Sequence, residues 1–247
     1  MRVYIFYRHF LDLDSQQVHL GGIENYILAL SELLLQQNVS VTVVQLATHD
    51  VTLEYRGIRI QGVNAKGYSG NRKKLALWRA VQAQVDRSRD LLIFATDSYF
   101  VPTDCRSIAI QHGISWDKPG KGVGIKSAVK AWLNQRKYLG YVEHCQHLVC
   151  VDHNFINWYR TLRDITPSQH WQVITNFAAQ SASRDDVITK WQAPKANLLI
   201  ARRFVEYRGI MPAIAVATAL LQRFAHLQVS FAGEGPLQSH IEQHFSG

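Results

Sequence analysis

Nowhere in these 247 residues does an apolar run reach the length needed to cross a bilayer, and Met1-Arg2-Val3-Tyr4 leads directly into a strand-like segment without a signal-peptide pattern. Synthesis and residence in the cytoplasm are the expectation. The three cysteines, Cys105, Cys145 and Cys150, lack the paired spacing of a disulfide framework or zinc site, so buried free thiols are expected. The eleven histidines are scattered. His144 and His147 have no carboxylate at helical spacing beside them, which favours surface histidines over a metal pair, and no metal site is expected. There is no helix-turn-helix, no Arg-Gly repeat and no aromatic RNA-binding motif, which argues against nucleic acid as a partner. Near the N-terminus the Gly-x-Gly-x-x-Gly fingerprint lacks its third glycine, and that argues against a nicotinamide cofactor.

What is present is an ordinary globular composition, 47% hydrophobic, long enough for one large or two modest domains. Strand-like and helical segments alternate. Arg2 to Tyr7 reads as a strand, Arg8 to Leu20 as a polar loop, and Gly21-Gly22-Ile23-Glu24 opens a helix with apolar residues at Ile27, Leu30, Leu33 and Leu34. Val39 to Leu46 is a β-branched run. Val51 to Tyr55 and Ile58 to Gln61 flank Arg56-Gly57 as a small hairpin, Arg72 to Arg87 reads as a helix, and Leu91 to Ala95 and Ser107 to Gln111 as buried strands. Leu148 to Val151 and Val173 to Thr175 are the next expected strands, with a helix near Phe155 to Leu162 between them. Such alternation predicts an α/β fold, a parallel sheet covered on both faces, with ligands at the carboxyl ends of the strands.

Several residues fall at such ends. Leu198 to Ala201 is a short buried-type strand, Arg203 and Arg208-Gly209 bracket the turn after it, and Ile210 to Phe224 is an alanine-rich helix. Val229 to Ala232 then leads into Gly233-Glu234-Gly235-Pro236. A βαβ unit of this kind aims backbone N–H and guanidinium groups at one edge, where a diphosphate finds several donors; solvated arginines are the alternative. Gly21-Gly22 suits either a tight turn or a ligand approach. His112, past a strand and beside Gly113, fits either a ligand contact or a structural hydrogen bond. Asn176 serves equally as a hinge cap or a ligand contact, and Trp116 and Asp117 are candidates for an acceptor-side loop. The net charge of +8 implies attraction to phosphates, nucleic acid or an anionic membrane surface, and charge alone does not choose among them. As a helix, Lys121 to Tyr141 sets Lys126, Lys130 and Lys137 beside a face of Ile125, Val129, Trp132 and Leu139, a pattern that serves a sheet cover or an interfacial membrane helix.

The segment from Ala201 to Gly209 resembles the donor-phosphate motif of glycosyltransferase family 4, in which a Gly-Arg pair is followed five residues later by Lys-Gly. Arg203 falls on the arginine, Arg208 on the lysine, and Arg202 replaces the glycine. Gly233-Glu234-Gly235-Pro236 matches the family's Gly-x-Gly-Pro, Gly21, Gly22 and Glu24 match its Gly-Gly-x-Glu, and Val173-Ile174-Thr175-Asn176-Phe177 resembles its Val-Ile-x-Asn-Gly, with Phe177 replacing the glycine. His112-Gly113 is similar to its His-Gly.

The resemblance implies a GT-B fold of two Rossmann-like domains: residues 1–177 on the acceptor side, a linker over 178–195, and a partial nucleotide-sugar domain over 196–247. It implies transfer of a hexosyl unit from a nucleotide diphosphate sugar to a glycan or lipid-linked acceptor, retaining and metal-free, in bacterial surface polysaccharide assembly at the inner membrane face. By the same resemblance Arg203, Arg208, Gly21, Gly22, Gly233 and Gly235 bind the donor, Glu24 and Asn176 line the cleft, and His112 sits by the transferred sugar. The family's Glu-x7-Glu segment has no counterpart before Gly247, so this polypeptide is expected to be part of a longer enzyme, or a natural fragment, inactive alone. A sugar-nucleotide epimerase of GT-B fold and a non-catalytic glycan- or membrane-binding fragment are the alternatives.

Overall fold

The computed structural model describes residues 1–14, 16–19, 21–114, 124–176, 183–192 and 195–245. The chain divides into two compact units, one ending at Asn176 and one formed by the described residues beyond it. The first opens with β1 (Arg2–Tyr7), a two-residue hairpin of β2 (Leu11–Asp12) and β3 (Gln17–Val18), α1 (Gly22–Gln36), β4 (Ser40–Ala47), β5 (Val51–Tyr55), β6 (Ile58–Asn64) and α2 (Asn71–Val81). It continues through β7 (Leu91–Phe94), β8 (Ser107–Gln111), α3 (Ile125–Val142), β9 (His147–Cys150), α4 (His153–Arg160) and β10 (His170–Val173).

These strands form one eight-stranded sheet without β2 and β3, in the order β10-β9-β8-β7-β1-β4-β6-β5. All its pairs are parallel except β5 with β6. Strand periodicity explains the two cores: Tyr4 and Phe6 point to one face, packed with Leu77, Val81, Leu139 and Phe155, while Val3 and Ile5 point to the other, packed with Ile27 of α1. Burial on both faces is why the strands read as continuous apolar runs.

Two differences from the sequence reading concern the site. The segment after β1 is more than a polar loop. Phe10 and Leu11 are buried, and the buried Gln45 amide accepts from both their N–H groups (3.1 and 2.8 Å) and donates to the Leu11 carbonyl (2.8 Å). One glutamine on β4 thus fixes the path of the chain toward α1. The tenth strand lies at His170–Val173 rather than at Val173 to Thr175. Long-range packing overrides the β-branched run: Trp171 stands edge-on to Tyr159 at 4.7 Å, and its indole donates to the Cys145 carbonyl at 3.1 Å.

The second unit holds α5 (Arg184–Gln192), β11 (Ala196–Ala201), α6 (Ile210–Arg223), β12 (Leu227–Ala232) and α7 (Gln238–Phe245). A reciprocal box starts α5, in which Ser183 Oγ accepts from the Asp186 N–H at 3.1 Å and Asp186 Oδ2 accepts from the Ser183 N–H at 3.1 Å. Strands β11 and β12 pair in parallel from Ala196 opposite Leu227 to Ala201 opposite Ala232. One face is packed by Phe204, Ile210, Ile214 and Ile241, while Leu199 is 61% exposed.

Candidate functional site

Parallel pairing brings the ends of β1, β7 and β8 to one edge of the first unit, where α1 also begins. Glu24, in the first turn of α1, accepts a hydrogen bond from the Tyr7 hydroxyl at 2.9 Å. Its carboxylate lies over Gly21, so that a Cβ at Gly21 would run into it, whereas the space above Gly22 is open. Gly21 is extended, so a side chain there would meet no backbone strain and would only displace the Glu24 carboxylate. Burial, then the Glu24 contact, raise the Tyr7 hydroxyl well above its ordinary pKa.

His112 follows β8 and is held by its neighbours. The buried Gln111 amide clasps the turn, accepting from the Gly113 N–H at 2.8 Å and donating to the Gly113 carbonyl at 2.6 Å. The Tyr26 ring stands edge-on to the imidazole at 5.4 Å. A hydrogen bond to the Ala95 backbone favours the protonated form, yet burial dominates and lowers the pKa. Nε2 is buried without a partner among the described residues. A neutral imidazole that carries its proton on Nδ1 offers Nε2 as a bare acceptor. Glu24 is near enough to act on the ring electrostatically, so Gly21, Glu24 and His112 belong to one group. Asn176 is exposed, three residues beyond β10, with no hydrogen bond among the described residues to join it to that group. Trp116, Asp117 and Phe177 lie outside the described residues.

Two members of this group escaped the sequence reading, as did one buried carboxyl elsewhere in the unit. Tyr7 and Tyr26 look like core aromatics until the fold sets them against Glu24 and His112. Asp97 lies in the short helical turn after β7; it is 7% exposed, accepts the Ser98 N–H at 2.9 Å through Oδ1, and leaves Oδ2 without a partner. Burial pushes its pKa up to about 6. A carboxylate two residues past a buried strand was the available signal.

In the second unit the two motif turns are joined through their backbones. Arg202 N–H donates to the Ala232 carbonyl (3.0 Å), Phe204 N–H to Glu234 (2.9 Å) and Leu237 N–H to Phe204 (3.1 Å). Side chains at Gly233 or Gly235 would strike the Arg202 and Phe204 carbonyls, so these glycines make room for the neighbouring turn. Gly209, left-handed at φ 72°, starts α6, and the Arg202 guanidinium lies against it. Arg203 and Arg208 are exposed and form no ion pair among the described residues. The first turn of α6 contains no acidic residue. Arg203 and Arg208 therefore lie in the turn that leads to a helix N-terminus, where an anion is favoured.

His144 and His147 are exposed, and among the described residues no group of three or more His, Cys, Asp or Glu side chains could hold a metal. Cys105, Cys145 and Cys150 are buried thiols, with Cys150 pushed up to about 12 by burial. Among the described residues no helix is long and apolar enough to cross a membrane.

A parallel sheet with site loops at its carboxyl edge, and a second βαβ unit with arginines at its turn, define an α/β protein of GT-B type. The chain belongs to Glycosyltransferase Family 4, whose profile matches residues 20–178, and it is a glycosyltransferase by that membership. The matched part ends before β11, so the arginine turn lies outside it. No curated protein matches the chain. Among solved structures, a mutant of S. aureus TarM in complex with fondaparinux, alpha-GlcNAc-glycerol and UDP is similar in fold, with a TM-score of 0.62 at 9% identity over 99% of this chain and 74% of that one.

Proposed function

We propose that this chain takes part in moving a hexosyl unit from a nucleotide diphosphate sugar to a hydroxyl of a glycan or lipid-linked acceptor, with retention of configuration and without a metal. The observation that carries the reading is the turn leading into α6, where Arg203 and Arg208, which form no ion pair among the described residues, stand beside two backbone-joined turns. As the glycosidic bond breaks, negative charge grows on the departing diphosphate. Guanidinium groups and helix N–H donors held in place beforehand stabilise that charge, each well-placed donor contributing about 3 kcal/mol. In the first unit the neutral His112 offers Nε2 to a sugar hydroxyl, and Glu24, anchored by Tyr7, faces the acceptor side. The neighbour with UDP and glycan ligands bound is consistent with both substrate classes.

Titration of the protein with UDP and GDP tests the donor side. Arg203→Ala with Arg208→Ala should weaken nucleotide binding at least about tenfold, as two charge-assisted contacts are lost. Unchanged binding by a folded double variant would remove the assignment. His112→Ala should lower turnover with any competent donor while leaving nucleotide binding intact.

A further inference from the structure

We propose that the first unit carries a separate phosphate-binding pocket, a subsite for a phosphoryl group on the acceptor. It is a cavity of about 300 Å³ at the carboxyl side of the sheet, between the chain after β1, the turn after β7, the start of α2 and the last turns of α3. Four cations line it, Arg8, Lys73, Lys74 and Lys137, and no carboxylate does. Among the described residues none of the four forms an ion pair. A solvated lysine face spreads its charges apart; here they converge on one concavity.

The local sequence is arranged against its own stability. Helix α2 begins Asn71-Arg72-Lys73-Lys74 with no acidic residue in its first turn and no side-chain cap. Three cations therefore sit at the positive end of the helix dipole, where anions are favoured and cations are not. Lys74 is half-buried with its ammonium 4.0 Å from the centre of the Tyr141 ring; Lys137 lies 5.9 Å from the same ring. Tyr141 is in turn tied to α2 by its hydroxyl, which donates to Asn71 Oδ1 at 3.1 Å. Burial, then repulsion from Lys137, lower the Lys74 pKa, as expected of two like charges held together without a counter-ion. A bound phosphate would relieve the dipole and the repulsion together.

The pocket adjoins the candidate site. Arg8 follows Tyr7 directly, and Tyr99, which lines the cavity, is close enough to Tyr7 to act on it electrostatically. A phosphoryl group seated here would hold an attached acceptor beside Glu24. In that role the pocket rests on the transferase reading, whereas phosphate binding itself does not.

The test is calorimetric titration of the full chain with glycerol 1-phosphate and, separately, with UDP. Wild type should bind glycerol 1-phosphate, and Lys74→Gln with Lys137→Gln should weaken that binding at least about tenfold while leaving UDP affinity unchanged. The variant should melt close to wild type, since a repulsion and the contacts with the Tyr141 ring are lost together, and this checks its fold. Arg203→Ala with Arg208→Ala should show the converse pattern. No glycerol 1-phosphate binding by wild type, or equal binding by the lysine variant, would overturn the pocket. Glycerol 1-phosphate binding without UDP binding would keep the pocket and overturn the donor assignment instead. Displacement of the probe by vesicles of phosphatidylcholine with phosphatidylglycerol, but not by phosphatidylcholine alone, would assign the phosphate to a lipid headgroup; no displacement would assign it to a soluble phosphorylated acceptor.

Discussion

Asp97 shows how a single side chain can set a pH dependence for the whole domain. Its carboxyl has one unpartnered oxygen and a pKa raised by burial from 3.8 to about 6. Below both values the group is protonated folded or unfolded. Between about pH 4 and 6 the unfolded chain releases the proton while the folded chain keeps it, so stability falls across that window and is level above it. The shift of about two units corresponds to roughly 3 kcal/mol. Asp97→Asn should therefore be more stable than wild type at pH 7 by up to that amount, with the difference vanishing at pH 3.5, measured by urea unfolding. Equal stability at pH 7 would remove the buried-carboxyl reading. His112 was legible as a candidate because an imidazole followed a strand beside a glycine. The burial that keeps it neutral was not, since that depends on Tyr26 and other residues meeting it from distant elements.

At the scale of elements, two connections decide where site residues stand. Gln45→Leu would leave the Phe10 and Leu11 N–H groups buried and unpaired, costing roughly 2–4 kcal/mol and loosening the approach to α1. Thermal unfolding measures the loss, and fluorescence of a probe at the start of α1 reports the loosening. Gly233→Ala should push the β12 turn off the Arg202 carbonyl, weakening UDP binding although Arg203 and Arg208 remain. Retained affinity with an unchanged melting temperature would show that the two turns need not touch. The sequence marked Gly233 and Gly235 as motif positions. Only the fold reveals that the space they leave is filled by Arg202 and Phe204 backbone. Most strands and helices were readable because each is a continuous apolar run or a helical stripe; the β2–β3 hairpin and the placement of β10 were not, because Gln45 and Trp171 create them through partners distant in sequence.

For the whole molecule, the charge of +8 acts together with the form of α3. Ile125 is 85% exposed, and Val129, Trp132 and Leu133 are exposed after it, whereas Leu139 and Val142 are buried. The first half of the helix thus presents an apolar stripe among Lys126 and Lys130, suited to an anionic membrane surface. Binding to phosphatidylglycerol-containing vesicles should decline as salt rises and decline again in Lys126→Gln with Lys130→Gln, followed by co-sedimentation. Trp132→Ser should weaken the binding at high salt, where the apolar contribution remains. Association indifferent to all three changes would leave the stripe without a membrane role.

The sequence by itself determined the alternation of strands and helices, the burial of both sheet faces, the motif glycines and arginines, and the family. Those are properties of short windows, set by side-chain period and by residues that few backbone positions tolerate. Tertiary structure alone decided which distant groups meet: Glu24 with Tyr7, His112 with Ala95 and Tyr26, the Arg202 turn with the Gly233 turn, and Arg8 with Lys74 and Lys137. Charge state and ligand chemistry follow from burial and from neighbours within a few ångströms, and parallel pairing brings such neighbours from strands far apart in the chain.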